Sequence, residues 1–191
     1  MSKQPRSLSR QGAAGGPAHA ASPHVYAAAP ARIGIMAALH DEVAALVAAM
    51  GSTARVHSVG RRDYYVGTLM GRECVLVLAR VGKVAAAATA VTLIREFSAA
   101  SVIFTGLAGA VAGQVRVGDV VMARHLLQHD LDASPLFPRY EVPLLGRSHF
   151  DACETLTATL AHCAAEYLAE GLPQEVSAAT RRQFGVDQPS V

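Results

Sequence analysis

The sequence predicts an α/β fold, a three-layer α/β/α sandwich with a mixed central sheet. Three observations predict it. Ile33–Leu39 (IGIMAAL) and Val102–Thr105 (VIFT) are apolar runs without polar alternation, as expected of strands covered on both faces. Strand-like runs alternate with helical patterns, which calls for a mostly parallel or mixed sheet between helical layers. The run at Val102 opens into a loop of small residues, Thr105 to Gly109, with Gly113 beyond it. Small residues let a backbone approach a ligand, and parallel sheets bind ligands at their carboxyl ends.

Taken in order, Met1–Ala31 is rich in Ala, Gly, Pro and Ser and has no acid. Such a segment buries too little to fold, so residues 1–31 are expected to be a disordered tail before one domain over 32–191. A transit peptide would share this composition, whereas a secretory signal would need an apolar stretch that the segment lacks. After the first strand, His40-Asp41-Glu42 form an acidic turn, and Asp41 is expected to cap the helix that follows. Val43, Leu46, Val47 and Met50 fall on one helical face, and Gly51 ends it. Strands are expected near Asp63–Met70 and Glu73–Ala79, joined at Met70-Gly71-Arg72. A helix follows over Lys83–Phe97, with Val84, Ala88, Val91 and Ile94 inward. Beyond the Val102 strand and its loop, Val120–Ala123 (VVMA) reads as another strand. His125–Phe150 is irregular and holds Pro135, Pro138 and Pro143, a length of loop that usually serves function or an interface. Asp151–Glu170 reads as a helix ending at Gly171, with Leu156, Leu160, Cys163 and Tyr167 on its apolar stripe. Gln174–Phe184 reads as a last short helix.

Composition narrows the function classes. A formal net charge of +2 supplies no field for nucleic acid or an anionic membrane, and with 5% aromatics and no Trp there is no base-stacking platform. No apolar run approaches the roughly 18 residues of a membrane span. Cys74, Cys153 and Cys163 form no CxxC, and their odd number and wide spacing argue against a disulfide framework or a zinc site. Cys153 and Cys163 are expected to be buried small hydrophobes, in reduced cytosol.

Few residues are placed for chemistry. Glu42 follows a strand end by a turn, where a carboxylate can take a proton from water. Position alone fits the plainer role of a helix-dipole acid better. The Thr105–Gly109 loop can offer backbone N–H groups to a hydroxyl, a base or an anion, or be a tight structural turn; it is neither GxGxxG nor a Walker loop. His129, Asp130 and Asp132 are too close together to suggest a metal centre and read as loop-ordering residues. No G-x-S-x-G elbow supports a serine hydrolase.

Together the motifs resemble the purine/uridine phosphorylase superfamily, and within it the 5′-methylthioadenosine/S-adenosylhomocysteine nucleosidases. IGIMAALHDEV (Ile33–Val43) is similar to that family's opening I-G-I-x-x-A-M-x-x-E-V. VGKVAAA (Val81–Ala87) resembles G-I-G-K-V-x-A-A. FTGLAGAVAGQVRVGDVV (Phe104–Val121) resembles N-T-G-S-A-G-G-L-x-x-x-L-x-V-G-D-I/V-V, and QHDLD (Gln128–Asp132) resembles Y-H-D-A-D. The resemblance covers roughly Arg32–Ala169 and implies cleavage of the N-glycosidic bond of an adenine thionucleoside. It assigns Glu42 as the base that activates water. Ala38, Thr105, Gly106, Leu107, Ala108 and Gly109 would bind substrate, and Leu136 and Phe137 would reach a partner subunit's pocket. It implies a homodimer in the cytoplasm, with no metal, no organic cofactor, no nucleic acid and no membrane.

The chain also departs from the resembled pattern. Leu107 stands where those nucleosidases have serine, and Ala110 where they have glycine. No arginine directly precedes the TG loop and no G-D-P-x-R follows the first strand, which favours water over phosphate as nucleophile. Arg80 replaces a glycine close to where phosphorylases bind phosphate, so a phosphate-dependent phosphorylase is the alternative. The family's V-E-M-E ribose segment and S-D purine-protonating segment have no match in these residues. The chain is therefore expected to be the N-terminal portion of such an enzyme, its fold incomplete at the C-terminus and its turnover low or absent. A further alternative is a non-catalytic nucleoside-binding or interaction module on a truncated nucleosidase fold.

Overall fold

The computed structural model describes residues 32–191, so the tail expected over 1–31 lies outside the described residues. The chain divides into two compact units meeting at Leu107/Ala108. In the first, the elements are β1 (Arg32–Ala37), α1 (His40–Met50), β2 (Arg55–Val59), β3 (Arg62–Leu69), β4 (Arg72–Leu78), α2 (Lys83–Arg95) and β5 (Ala99–Phe104). The strands form one sheet in the order β2-β3-β4-β1-β5. Strand β1 runs parallel to both β4 and β5, while β2, β3 and β4 form an antiparallel meander, so the sheet is mixed.

The meander is set by two two-residue loops with left-handed backbone at both positions. Gly60 and Arg61 have φ of 57° and 60°, and Met70 and Gly71 have φ of 48° and 76°. That geometry matches the right-handed twist of the flanking strands. Strand β2 has no counterpart in the sequence reading. Its residues, RVHSV, are all exposed at the sheet edge, so no burial pattern marks it; Arg55 and His57 suit an edge that must not pair further.

Alternating residues of the central strands feed two cores, one per face. On one side Ala37, Cys74 and Leu76 pack with Val43 and Met50 of α1. On the other, Met36, Val75 and Val77 pack with Leu93 of α2 and with Phe97, which stacks on Tyr64. Helices on both faces make three layers. Gly34 matters here, because a Cβ would lie 3.1 Å from Leu93 Cδ1 and 3.2 Å from Ala99 Cβ.

Two expectations for this unit are corrected. The inward face of α2 is not Val84, Ala88, Val91 and Ile94, all of which are exposed; Thr89 and Leu93 are buried, with Ala86 and Ala90 beside them. An Ala-rich helix is apolar all round, so its periodicity does not single out one face. The Val102 strand is not fully covered on both faces either: Val102 and Ile103 are only half-buried and Phe104 is 60% exposed, in a strand that pairs only with β1 among the described residues.

The second unit, Ala108–Val191, contains β6 (His125–Leu127), β7 (His149–Asp151), α3 (Glu154–Glu166), α4 (Leu172–Glu175) and α5 (Ala178–Gln183). Strands β6 and β7 pair antiparallel, giving the irregular stretch a short two-stranded closure. Val120–Ala123 is not a strand: the Val120 N–H donates to Ser190 O at 2.8 Å, without a ladder. The expected Asp151–Glu170 helix starts later and runs past Gly171. It widens into a π turn over Tyr167–Gly171 and continues as α4, which carries Pro173 in its first turn. Leu156 and Leu160 are half-buried, but Cys163 and Tyr167 are exposed, as is Cys153, so neither cysteine is a core residue. The buried thiol is Cys74 in β4, whose pKa burial raises. No helix among the described residues is long and apolar enough to cross a membrane.

Candidate active site

The carboxyl ends of three parallel strands converge in the first unit. The Ala79 N–H donates to Ala37 O at 2.8 Å and the Thr105 N–H to Met36 O at 3.0 Å, extending the pairing of β1 with β4 and β5 to the ends of the strands. Chain reversal after β1 then puts Glu42, in the first turn of α1, back over its own strand end. Glu42 Oε2 accepts from the backbone N–H groups of Ala38 at 3.0 Å and Leu39 at 2.8 Å. Glu42 Oε1 accepts from the Leu107 N–H at 2.9 Å, just past β5. One carboxylate thus ties the ends of two parallel strands together.

This arrangement replaces the expected cap. Asp41 does not cap α1; Leu39 occupies the cap position and offers no side-chain acceptor. Glu42 reaches back to the Leu39 N–H, one half of a capping box, and so works at the helix start without the polar cap residue that would have announced it.

Gly106 is required by the same carboxylate. A Cβ there would lie 2.7 Å from Glu42 Oε1 and 2.9 Å from Glu42 Cδ. The glycine lets the TG loop lie directly against the acid, a reason for its place in the motif that the sequence reading missed.

The electrostatics follow from the donors. The Leu107 N–H, then the Leu39 N–H, hold the Glu42 pKa below its usual value; burial opposes them, and Ala38 adds to them. A carboxylate offers about four lone-pair sites. Both on Oε2 are used, and one on Oε1 is used. One site on Oε1 is left to accept a proton or bind a water.

The other candidates sort by unit. Ala38 and Thr105 are half-buried, and Gly106 and Leu107 exposed, with Leu107 at 88%. All four surround Glu42 within the first unit. Ala108 and Gly109 belong to the second unit and are exposed; a Cβ on Gly109 would meet nothing within 4 Å, so packing does not explain that glycine. Leu136, 83% exposed, and half-buried Phe137 lie in the loop between β6 and β7. Asp132 accepts from the Ser134 N–H at 3.0 Å, and hydrogen bonds from Ser134 hold its pKa low, which orders that loop.

The V-G-D segment has a separate purpose. Asp119 accepts from the Arg116 N–H at 2.9 Å, the Ser190 N–H at 2.8 Å and the Ser190 hydroxyl at 3.2 Å. A Cβ on Gly118, whose φ is 95°, would lie 2.4 Å from Val186 Cγ1. The motif straps residues 186–190 alongside 116–120 within the second unit.

Comparison with known proteins places the family. Residues 32–182 match the family model described as the phosphorylase superfamily. A curated relative from Shewanella oneidensis, 5′-methylthioadenosine/S-adenosylhomocysteine nucleosidase, is 35% identical over 103 residues, 54% of this chain and 43% of the relative. The fold is similar to a Streptococcus pyogenes S-adenosylhomocysteine nucleosidase in complex with 5-methylthiotubericidin, at TM-score 0.67 and 33% identity over 74% of this chain and 59% of that one. It is also similar to a Neisseria meningitidis 5′-methylthioadenosine/S-adenosylhomocysteine nucleosidase in complex with methylthio-immucillin-A, at TM-score 0.66 and 32% identity over 74% and 60% of the two chains. The matched segments therefore span about half the length of these relatives. With the mixed sheet, the flanking helices and a family match across all but a few of the described residues, the chain belongs to the phosphorylase superfamily.

Proposed function

We propose that the protein hydrolyses the N-glycosidic bond of adenine thionucleosides, methylthioadenosine and S-adenosylhomocysteine, releasing adenine. The observation that carries this reading is the single open lone pair on Glu42 Oε1, on a carboxylate otherwise saturated by Ala38, Leu39 and Leu107. A water held there gives its proton to Oε1 as its oxygen bonds to the anomeric carbon. The carbon–nitrogen bond breaks and its electron pair leaves with the purine, which takes up a proton. Ala38, Thr105, Gly106 and Leu107 form the substrate wall beside the base, and the resemblance assigns Ala108 and Gly109 the same role. Leu107 offers an apolar side chain where the resembled nucleosidases have a hydroxyl, so sugar recognition at this position is changed. The same reading gives Leu136 and Phe137 to the pocket of a second copy, making the protein a cytoplasmic homodimer; light scattering reads that state directly.

The test is adenine release from 5′-methylthioadenosine, with and without phosphate, by the chain and by Glu42→Gln. Release is expected to be phosphate-independent and to fall about 10²–10⁴-fold in the variant. Equal rates would remove Glu42 from the mechanism, and a strict phosphate requirement would replace hydrolysis with phosphorolysis. Binding of the nucleoside and cleavage of its glycosidic bond are separate readouts. Calorimetric binding of 5′-methylthioadenosine is therefore followed in parallel, and binding without release would mark a nucleoside-binding module.

A further inference from the structure

A groove of about 450 Å³ lies on the α1 face of the first unit, between α1 and strands β3 and β4. Glu42 does not line it, nor do Ala38 or Thr105–Leu107, so it is distinct from the candidate active site. Its floor is apolar: Val43 and Val47 of α1, Tyr65 of β3 and Leu78 of β4. Its rim is cationic. Arg61, Arg62 and Arg80 all line it, with His40 beside them, against the one carboxylate of Asp63. That carboxylate is already engaged by the Ser58 hydroxyl.

The arginines are held rather than loose. Arg61 and Arg80 both have left-handed backbone, with φ of 60° and 70°. Arg80 Nη2 donates to Arg61 O at 2.6 Å, linking the two positions, and Arg62 Nε donates to Ala79 O at 3.3 Å. Arg62 Nη1 also donates to Gly60 O at 3.3 Å, so backbone carbonyls fix the guanidinium groups of both Arg62 and Arg80. Guanidinium groups pair bidentately with phosphate and carboxylate. A volume in the range of roughly 300–1,000 Å³ and an apolar floor suit a small organic ligand.

We infer that this groove binds a small organic anion, with a phosphate or carboxylate held by Arg61, Arg62 and Arg80 and an apolar, ring-sized body laid on Val43, Val47, Tyr65 and Leu78. The inference does not depend on the nucleosidase reading. Electrostatics alone would favour any anion, and the floor is what selects an organic one.

Titration of the protein with phenyl phosphate, benzoate, inorganic phosphate and phenol tests it. Phenyl phosphate or benzoate is expected to bind at least about 10-fold tighter than inorganic phosphate or phenol, since both halves of the groove contribute. Which of the two binds better identifies the anionic group. Arg61→Gly and Arg80→Gly place glycine where the backbone is left-handed, so the fold tolerates them, and each is expected to weaken binding about 10-fold or more. Val47→Ala is expected to weaken phenyl phosphate but not inorganic phosphate. Arg55→Ala and Arg72→Ala, outside the groove, are the controls and leave binding unchanged. Equal binding of inorganic and phenyl phosphate, no binding of either organic anion, or binding indifferent to both glycine variants overturns the inference.

Discussion

Two carboxylates in this chain, Glu42 in the first unit and Asp119 in the second, are each held by backbone N–H groups beside a glycine that has no room for a side chain. What differs is the ground each stands on. Glu42 bridges the ends of β1 and β5, in a unit with buried cores on both faces of its sheet. Asp119 straps two irregular segments together in a unit where, among the described residues, no side chain is buried. Each carboxylate accepts three hydrogen bonds and keeps one site open; Glu42 does so over the converging ends of parallel strands, whereas Asp119 does so between two irregular segments that it holds together. The same local chemistry becomes a candidate catalytic group in one place and a fastener in the other.

The comparison is broken most sharply at the two glycines. Gly106→Ala would push its Cβ against Glu42 Oε1, and the flexible carboxylate is what must give. Adenine release is expected to fall on the scale of losing the base, about 10²–10⁴-fold, with little change in thermal unfolding. Gly118→Ala would meet Val186 on a backbone with φ of 95°. It should leave the neighbourhood of Glu42 alone and raise hydrogen exchange over residues 186–190. Intact release in Gly106→Ala, measured by the same assay, would show that the carboxylate needs no such clearance.

A second contrast concerns the cores. Leu93 is fully buried between α2 and the sheet, and Leu93→Ala is expected to cost about 2–5 kcal/mol in chemical denaturation. Leu160 is only half-buried in α3, so Leu160→Ala should cost about 1 kcal/mol or less. A similar loss at both positions would mean that the second unit has a core comparable to the first.

Legibility followed burial. In the first unit β1, α1, β3, β4 and α2 were readable from the sequence, because each must place apolar residues at its own period against the sheet. The errors there fell where burial gives no signal: the exposed edge strand β2, and α2, where alanine on every side hid which face turned in. In the second unit nothing is buried, and the reading erred more: VVMA is not a strand, the helix does not end at Gly171, and Cys153 and Cys163 are exposed. Glu42 is legible as an acid placed after a strand, and its assignment as the base comes from the resemblance. Its three N–H donors and the clearance at Gly106 are not legible, because the donors are backbone groups and one of them, Leu107, together with Gly106, is brought from more than 60 residues away by the pairing of β5 with β1.

The two acids also part company on titration. The Glu42 pKa is lowered first by the Leu107 N–H, and that of Asp119 first by the Arg116 N–H. A carboxylate with a depressed folded pKa stabilises fully above its unfolded value, 4.5 for Glu42 and 3.8 for Asp119, and loses that contribution as pH falls through the lower folded value. Neither clamp should therefore change from about pH 5 to 8, and an acid limb due to Glu42 should lie below 4.5. Carboxyl NMR titration of Gly106→Ala should move Glu42 upward and leave Asp119 where it is. A shift of both would show that the two carboxylates are coupled.

The smallest effect is expected at Arg80. Its φ of 70° puts a side-chain-bearing residue in the left-handed conformation that Gly118 occupies in the second unit with φ of 95°. An L-residue in that conformation is strained by roughly 1–2 kcal/mol, and Arg80→Gly removes the strain. Against this stand the extra freedom of glycine in the unfolded chain, roughly 0.5–1 kcal/mol, and the loss of the exposed bond from Arg80 Nη2 to Arg61 O. The balance is a stabilisation of up to about 1 kcal/mol, read as a rise in the denaturation midpoint at unchanged slope. A fall of the same size would mean that the bond to Arg61 outweighs the strain. The arginine pair would then be a structural tie in its own right, as Asp119 and Ser190 are in the second unit.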